Sequence, residues 1–118
     1  MPDVDITDRT FSFACRVVKL CKYMEKEGNV SRTLANQLLR SATSIGANLE
    51  EAQAGQSKAD FTAKMYISCK EARETLYWLR LLSKTEIISE DKISSPQDES
   101  KQLVAILTTI TKNARANK

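Results

Sequence analysis

The side chains here whose types could carry nucleophilic, redox or metal chemistry are three cysteines, Cys15, Cys21 and Cys69, and the carboxylate pair in Glu71-Ala72-Arg73-Glu74. No histidine occurs in the 118 residues, so the commonest general base and the commonest metal ligand are both missing. A carboxylate-bridged di-metal bundle uses Glu-x-x-His pairs, whereas the Glu71 run ends in a second glutamate. The cysteines form no C-x-x-C pair and are odd in number, which argues against a disulfide framework and against a thiolate zinc site. They lie within helical segments rather than at activating helix N-termini, and read as small buried hydrophobes. Gly28, Gly46 and Gly55 stand alone, so no phosphate-cradling loop is present. The expectation is a protein without catalytic residues, metal, cofactor or small-molecule substrate, working by association.

Three constellations suit association. Arg40 comes level with Glu71 and Glu74 when counted outward from the turn near Gly55, predicting an interhelical ion pair, and Asn48 on the same helix needs a hydrogen-bond partner. The run Leu76-Tyr77-Trp78-Leu79-Arg80-Leu81-Leu82 is apolar around more of the helix than one core face absorbs, which makes Tyr77, Trp78 and Leu81 either candidates for a homo-oligomer interface or part of a wide core stripe covered by the fourth helix and the loop after Lys84. Arg9, Arg16, Lys19, Lys22 and Lys26 dominate the outward side of the first helix, and Lys112 and Arg115 lie at the end of the last, a candidate RNA or DNA surface. Cations near a helix C-terminus also complement its dipole, which accounts for Lys22, Lys26, Lys112 and Arg115 without any ligand. The net charge of +3, from 18 basic and 15 acidic residues, permits nucleic-acid contact without requiring it.

The elements that position these groups follow from apolar spacing and its punctuation. Three glycines and two prolines are too few for a many-turned β-sandwich, and the chain is of one-domain size. The spacing predicts helices over about 7–27, 31–54, 58–84 and 96–115. Phe11, Ala14, Cys15, Val18 and Cys21 form the first stripe, with Phe13, Val17, Leu20 and Met24 beside it. Ser31 is the predicted N-cap of the second helix, Ser57 that of the third, and Ser95-Pro96-Gln97-Asp98 the start of the fourth. Short links make successive helices antiparallel, so the fold class is an all-α, up-down-up-down four-helix bundle in one domain, 1–118. The acidic Met1-Pro2-Asp3-Val4-Asp5 start is unlike a signal peptide, and no apolar run approaches the roughly 18 residues of a membrane span. A cytoplasmic location without membrane contact is expected.

Gln37-Leu38-Leu39-Arg40-Ser41-Ala42-Thr43-Ser44-Ile45-Gly46-Ala47-Asn48-Leu49, Ser57 with Asp60-Phe61, and Lys70-Glu71-Ala72-Arg73-Glu74-Thr75-Leu76-Tyr77-Trp78-Leu79 closely resemble the bacterial proteins encoded in intervening sequences of 23S ribosomal RNA genes. The resemblance implies a left-handed antiparallel bundle without known enzymatic activity. It extends to the accessory variability proteins of diversity-generating retroelements, which implies rings of five that bind nucleic acid and a reverse transcriptase through basic surface. Arg40, Ser41, Asn48, Asp60, Glu71 and Glu74 match the family motif as fold-defining positions. Glu50-Glu51-Ala52-Gln53-Ala54-Gly55 departs from the Ile-Ala-Glu-Gly of many relatives and suggests a subgroup.

Overall fold

The computed structural model describes residues 5–116, which form α1 (Ile6–Met24), a 3-10 turn (Glu25–Glu27), α2 (Asn29–Gln53), α3 (Lys58–Lys84) and α4 (Glu90–Ala116). Asp5 opens α1 by accepting from the Thr7 amide at 3.0 Å, a carboxylate at the positive end of the helix. Gly28, at φ 112°, occupies a backbone conformation that a side chain would strain, and there the chain reverses into α2. Ser57 caps α3, its hydroxyl accepting from the Asp60 amide at 3.1 Å.

Two helix starts differ from the sequence-based expectation. α2 begins at Asn29; Ser31 is buried in its first turn, where the hydroxyl donates to the Met24 carbonyl at 2.8 Å instead of capping. α4 begins at Glu90, so Pro96 lies buried inside the helix rather than at its first position. A proline within a helix costs about 3 kcal/mol. Burial of Ile93 in the first turn of the helix, at about 1.5–3 kcal/mol, offsets much of that. The reversal before α4 uses Glu86 at φ 60°, a left-handed residue without the glycine that usually marks one.

Cross-helix contacts run in opposite directions along each neighbouring pair. Going up α1, Thr10 lies against Gly46 and Cys21 against Ala35. Going up α3, Lys64 meets Glu51 and Thr75 meets Ser41. Met65 and Arg73 meet Thr111 and Thr108 of α4, while Arg9 and Arg16 of α1 meet Glu99 and Ser95. All four neighbouring pairs are therefore antiparallel, and α1 with α3, or α2 with α4, make no close approach. Several buried hydroxyls bond across the helices or back to a backbone: Thr75 Oγ1 donates to Ser41 Oγ at 2.9 Å, and Ser68 Oγ to the Ile45 carbonyl at 2.8 Å, whereas the buried hydroxyls of Thr7 and Ser100 have no partner among the described residues.

The core corrects the predicted stripe of α1. Phe13, Val17, Cys21 and Met24 are buried, with Thr10, whereas Phe11, Cys15 and Val18 are exposed. The two sets lie roughly 130° apart, more than a third of a turn, on a helix of 3.6 residues per turn, so only one can face inward. In α4, Leu103 and Leu107 are fully buried, and Ile106, Ile110 and Ala114 are half-buried.

At Gly46 α2 packs tightly on α1: a Cβ there would lie 3.2 Å from Thr10 Oγ1, itself held to the Thr7 carbonyl at 3.0 Å. Gly46→Leu should overpack this crossing and cost about 1–3 kcal/mol. Urea unfolding measures the loss, and an unchanged midpoint would contradict the close approach.

Candidate functional site

Arg40 on α2 reaches two carboxylates of α3. Its Nη1 donates to Glu71 at 3.4 Å, and its Nη2 donates to Glu74. Trp78 Nε1 donates to the same oxygen of Glu74 at 3.0 Å, so one carboxylate joins the cation to the indole. The Arg40 side chain is 50% exposed, which keeps its Coulomb gain small. Its pairing links α2 to α3 and, through Glu74, reaches the indole. Asn48 bonds within its own helix, donating to the Ser44 carbonyl at 2.9 Å rather than across the bundle.

The three residues singled out as an interface do not share one environment. Trp78 is half-buried and packs against the core, and Leu81 is half-buried. Tyr77 is 53% exposed, its ring edge-to-face with that of Trp78 at 5.1 Å. Tyr77 and Leu81 line an open cleft of about 500 Å³ with Arg80, Lys84 and, from α4, Gln97.

A larger and more apolar surface lies between α1 and α2. This groove, of about 660 Å³, is lined mainly by Phe11, Ala14, Cys15 and Val18 from α1 and by Thr43, Gly46 and Ala47 from α2, with the carboxylates Glu50 and Glu51 of α2 at one end. Phe11 is 62% exposed and Val18 38% exposed. These residues read as core in the sequence because both stripes of α1 are apolar; the small residues facing them on α2 are the signal that the outer stripe borders a groove. Cys15 lies in this groove, whereas Cys21 is buried and donates to the Ala35 carbonyl at 3.4 Å. Burial, with a smaller push from the charge of Glu25, raises the Cys21 thiol to about 11, so it packs as a neutral group.

The predicted cationic surface divides. Arg9 is engaged by Glu99 at 2.8 Å and by Gln102, and the hydrogen bond to Glu99 raises its pKa further above the usual guanidinium range. Arg16 donates to Ser95 of α4. Lys19, Lys22 and Lys26 are exposed on α1 and the turn after it. Lys112 and Arg115 are exposed on α4, on the side facing α3, with the Arg115 guanidinium 5.9 Å from the Tyr66 ring centre. Among the described residues no group of three His, Cys, Asp or Glu side chains is arranged to hold a metal, and no helix is long and apolar enough to cross a membrane.

Arg40→Met should leave a folded bundle with stability changed by only about 0–1 kcal/mol, because the pair it removes is half in solvent. Equilibrium unfolding followed by Trp78 fluorescence checks this; a loss above about 3 kcal/mol would mean that the pair behaves as a buried one.

Comparison with known proteins agrees with this architecture. A family model described as 23S rRNA-intervening sequence protein matches residues 2–109. A solved structure from Bacteroides thetaiotaomicron, described as a protein with unknown function from the S23 ribosomal protein family, is 41% identical. The match covers 91% of this chain and 98% of that one, with a TM-score of 0.82. No curated protein matches the chain. An all-α bundle of four helices, matched over residues 2–109, places this chain in the 23S rRNA-intervening sequence protein family.

Proposed function

We propose that this protein is a non-enzymatic, self-associating structural or adaptor bundle of the cytoplasm, and that the occupant of its α1/α2 groove is a second copy of the same chain. The observation that carries this reading is the exposure of Phe11 and Val18 beside small residues of α2. Phe11 and Val18 stand beside Thr43, Gly46 and Ala47, with Glu50 and Glu51 at one end of the groove, an apolar strip that a second copy can cover. The Tyr77 and Leu81 cleft lies on the α3/α4 side, away from the α1/α2 groove, and gives each copy a second, different patch. Two unlike patches favour head-to-tail contacts that close into a ring, of which the pentamer implied by the family resemblance is one case. Such an assembly needs no cofactor and no small-molecule substrate.

A second reading, a dedicated accessory factor that contacts RNA or DNA through basic residues of α1 and α4, is supported by the exposure of Lys19, Lys22, Lys26, Lys112 and Arg115. The neutralisation of Arg9 by Glu99 weakens its α1 part.

Sedimentation velocity of the full chain tests self-association. Wild type should run larger than its 13.2 kDa monomer. Phe11→Ala should weaken association roughly 10- to 100-fold, the equivalent of about 1.5–3 kcal/mol of lost apolar burial. A wild type that stays monomeric at high concentration would overturn the reading.

A further inference from the structure

A second unassigned surface lies on the α3/α4 side of the bundle. Lys70 and Arg73 of α3 and Lys112 and Arg115 of α4 line one cleft of about 280 Å³ together with Tyr66 and Thr108, and no carboxylate lines it. None of these four cations has an ion-pair partner among the described residues, whereas Arg9, Arg40 and Lys64 are each paired. The neighbouring acids on α3, Glu71 and Glu74, are engaged by Arg40 of α2, and α4 carries no Asp or Glu after Glu99. Compensation of a helix dipole explains cations at the end of α4, but not Lys70 and Arg73, which sit in the middle of α3.

Both guanidiniums are held in place. Arg73 Nη2 donates to Thr108 Oγ1 at 3.2 Å, and Arg115 lies over the Tyr66 ring at 5.9 Å. Guanidinium groups fixed in this way present the planar fork that pairs with two oxygens of a phosphate, and the lysines add point charges. A cleft of this size takes a phosphate and part of a sugar but does not enclose a drug-sized ligand.

We infer that the α3/α4 cleft is a binding site for phosphate groups, filled either by a free polyphosphate or by the phosphodiester backbone of a nucleic-acid strand. It joins the cations of α4 to those of α3 in one cleft, and only its nucleic-acid arm rests on the second reading above.

The test titrates the full-length protein with two probes, inorganic pyrophosphate and a labelled single-stranded RNA oligonucleotide, at 50 and 200 mM salt. Pyrophosphate should displace the oligonucleotide, and Lys70→Glu with Arg73→Glu should weaken both probes at least tenfold. The variant carrying Lys112→Gln and Arg115→Gln should do the same, with circular dichroism verifying that each remains helical. A strand touching all four cations should lose about 50-fold in affinity between the two salt concentrations. A strand that binds much more tightly than pyrophosphate identifies the polymer as the ligand, and equal affinity identifies the free anion. Loss of RNA binding in a Lys19→Glu, Lys22→Glu, Lys26→Glu variant, with the cleft variants unaffected, would overturn the cleft site while leaving nucleic-acid contact through α1 standing. Absence of binding by either probe at 50 mM salt would overturn both. Displacement of the RNA by polyglutamate as readily as by pyrophosphate would overturn the phosphate assignment.

Discussion

An α-helix in a four-helix bundle can turn only one stripe inward, and α1 carries two that are apolar. The stripe of Phe13, Val17, Cys21 and Met24 is in the core, which commits Phe11, Cys15 and Val18 to the outside. Everything proposed about association follows from that allocation. It is stabilised from the other side by Gly46, whose missing side chain lets α2 approach Thr10 of α1 closely. The same small-residue segment of α2 leaves the outer groove open, so one stretch of sequence shapes both the interior crossing and the exposed surface.

The α2/α3 pairing shows how a bundle with polar residues in its seam keeps one register. Ser41, Ser68 and Thr75 are fully buried, and each hydroxyl finds an oxygen on the facing helix or on its own backbone. A one-turn slip of α3 would take Ser68 away from its acceptor on α2, a penalty of about 1–3 kcal/mol for a group left unsatisfied, whereas Ser41 and Thr75 would keep the carbonyls of their own helices. Arg40 with Glu71 and Glu74 adds an outer, partly solvated copy of that register, to which the indole of Trp78 is tied.

The fold was legible wherever punctuation and periodicity agreed. Ser57 with Asp60 marks the start of α3 because a hydroxyl three residues before a free amide has one evident use there. The short link behind it sets which residues of α2 and α3 are level, and Arg40 with its two glutamates follows from counting. Legibility failed where a local signal had two meanings. Ser95-Pro96 has the form of a helix start, yet the helix runs back to Glu90 and buries Ile93 in its first turn. Both apolar stripes of α1 have helical spacing, and choosing between them requires knowing what α2 presents. The cationic cleft was invisible for another reason: Lys70 and Arg73 are far in sequence from Lys112 and Arg115, and only the antiparallel packing of α3 on α4 brings them together.

The allocation of α1 can be read directly from its thiols. Cys15 is exposed in the α1/α2 groove, whereas Cys21 and Cys69 are buried and Cys21 holds its proton to about 11. The rate at which a thiol reagent modifies the native protein, measured across a range of protein concentrations, tests whether another copy covers that groove. The account predicts one fast-reacting cysteine per chain in dilute solution, and a rate that falls as concentration rises and the groove becomes occupied. A Cys15 rate independent of concentration would contradict it.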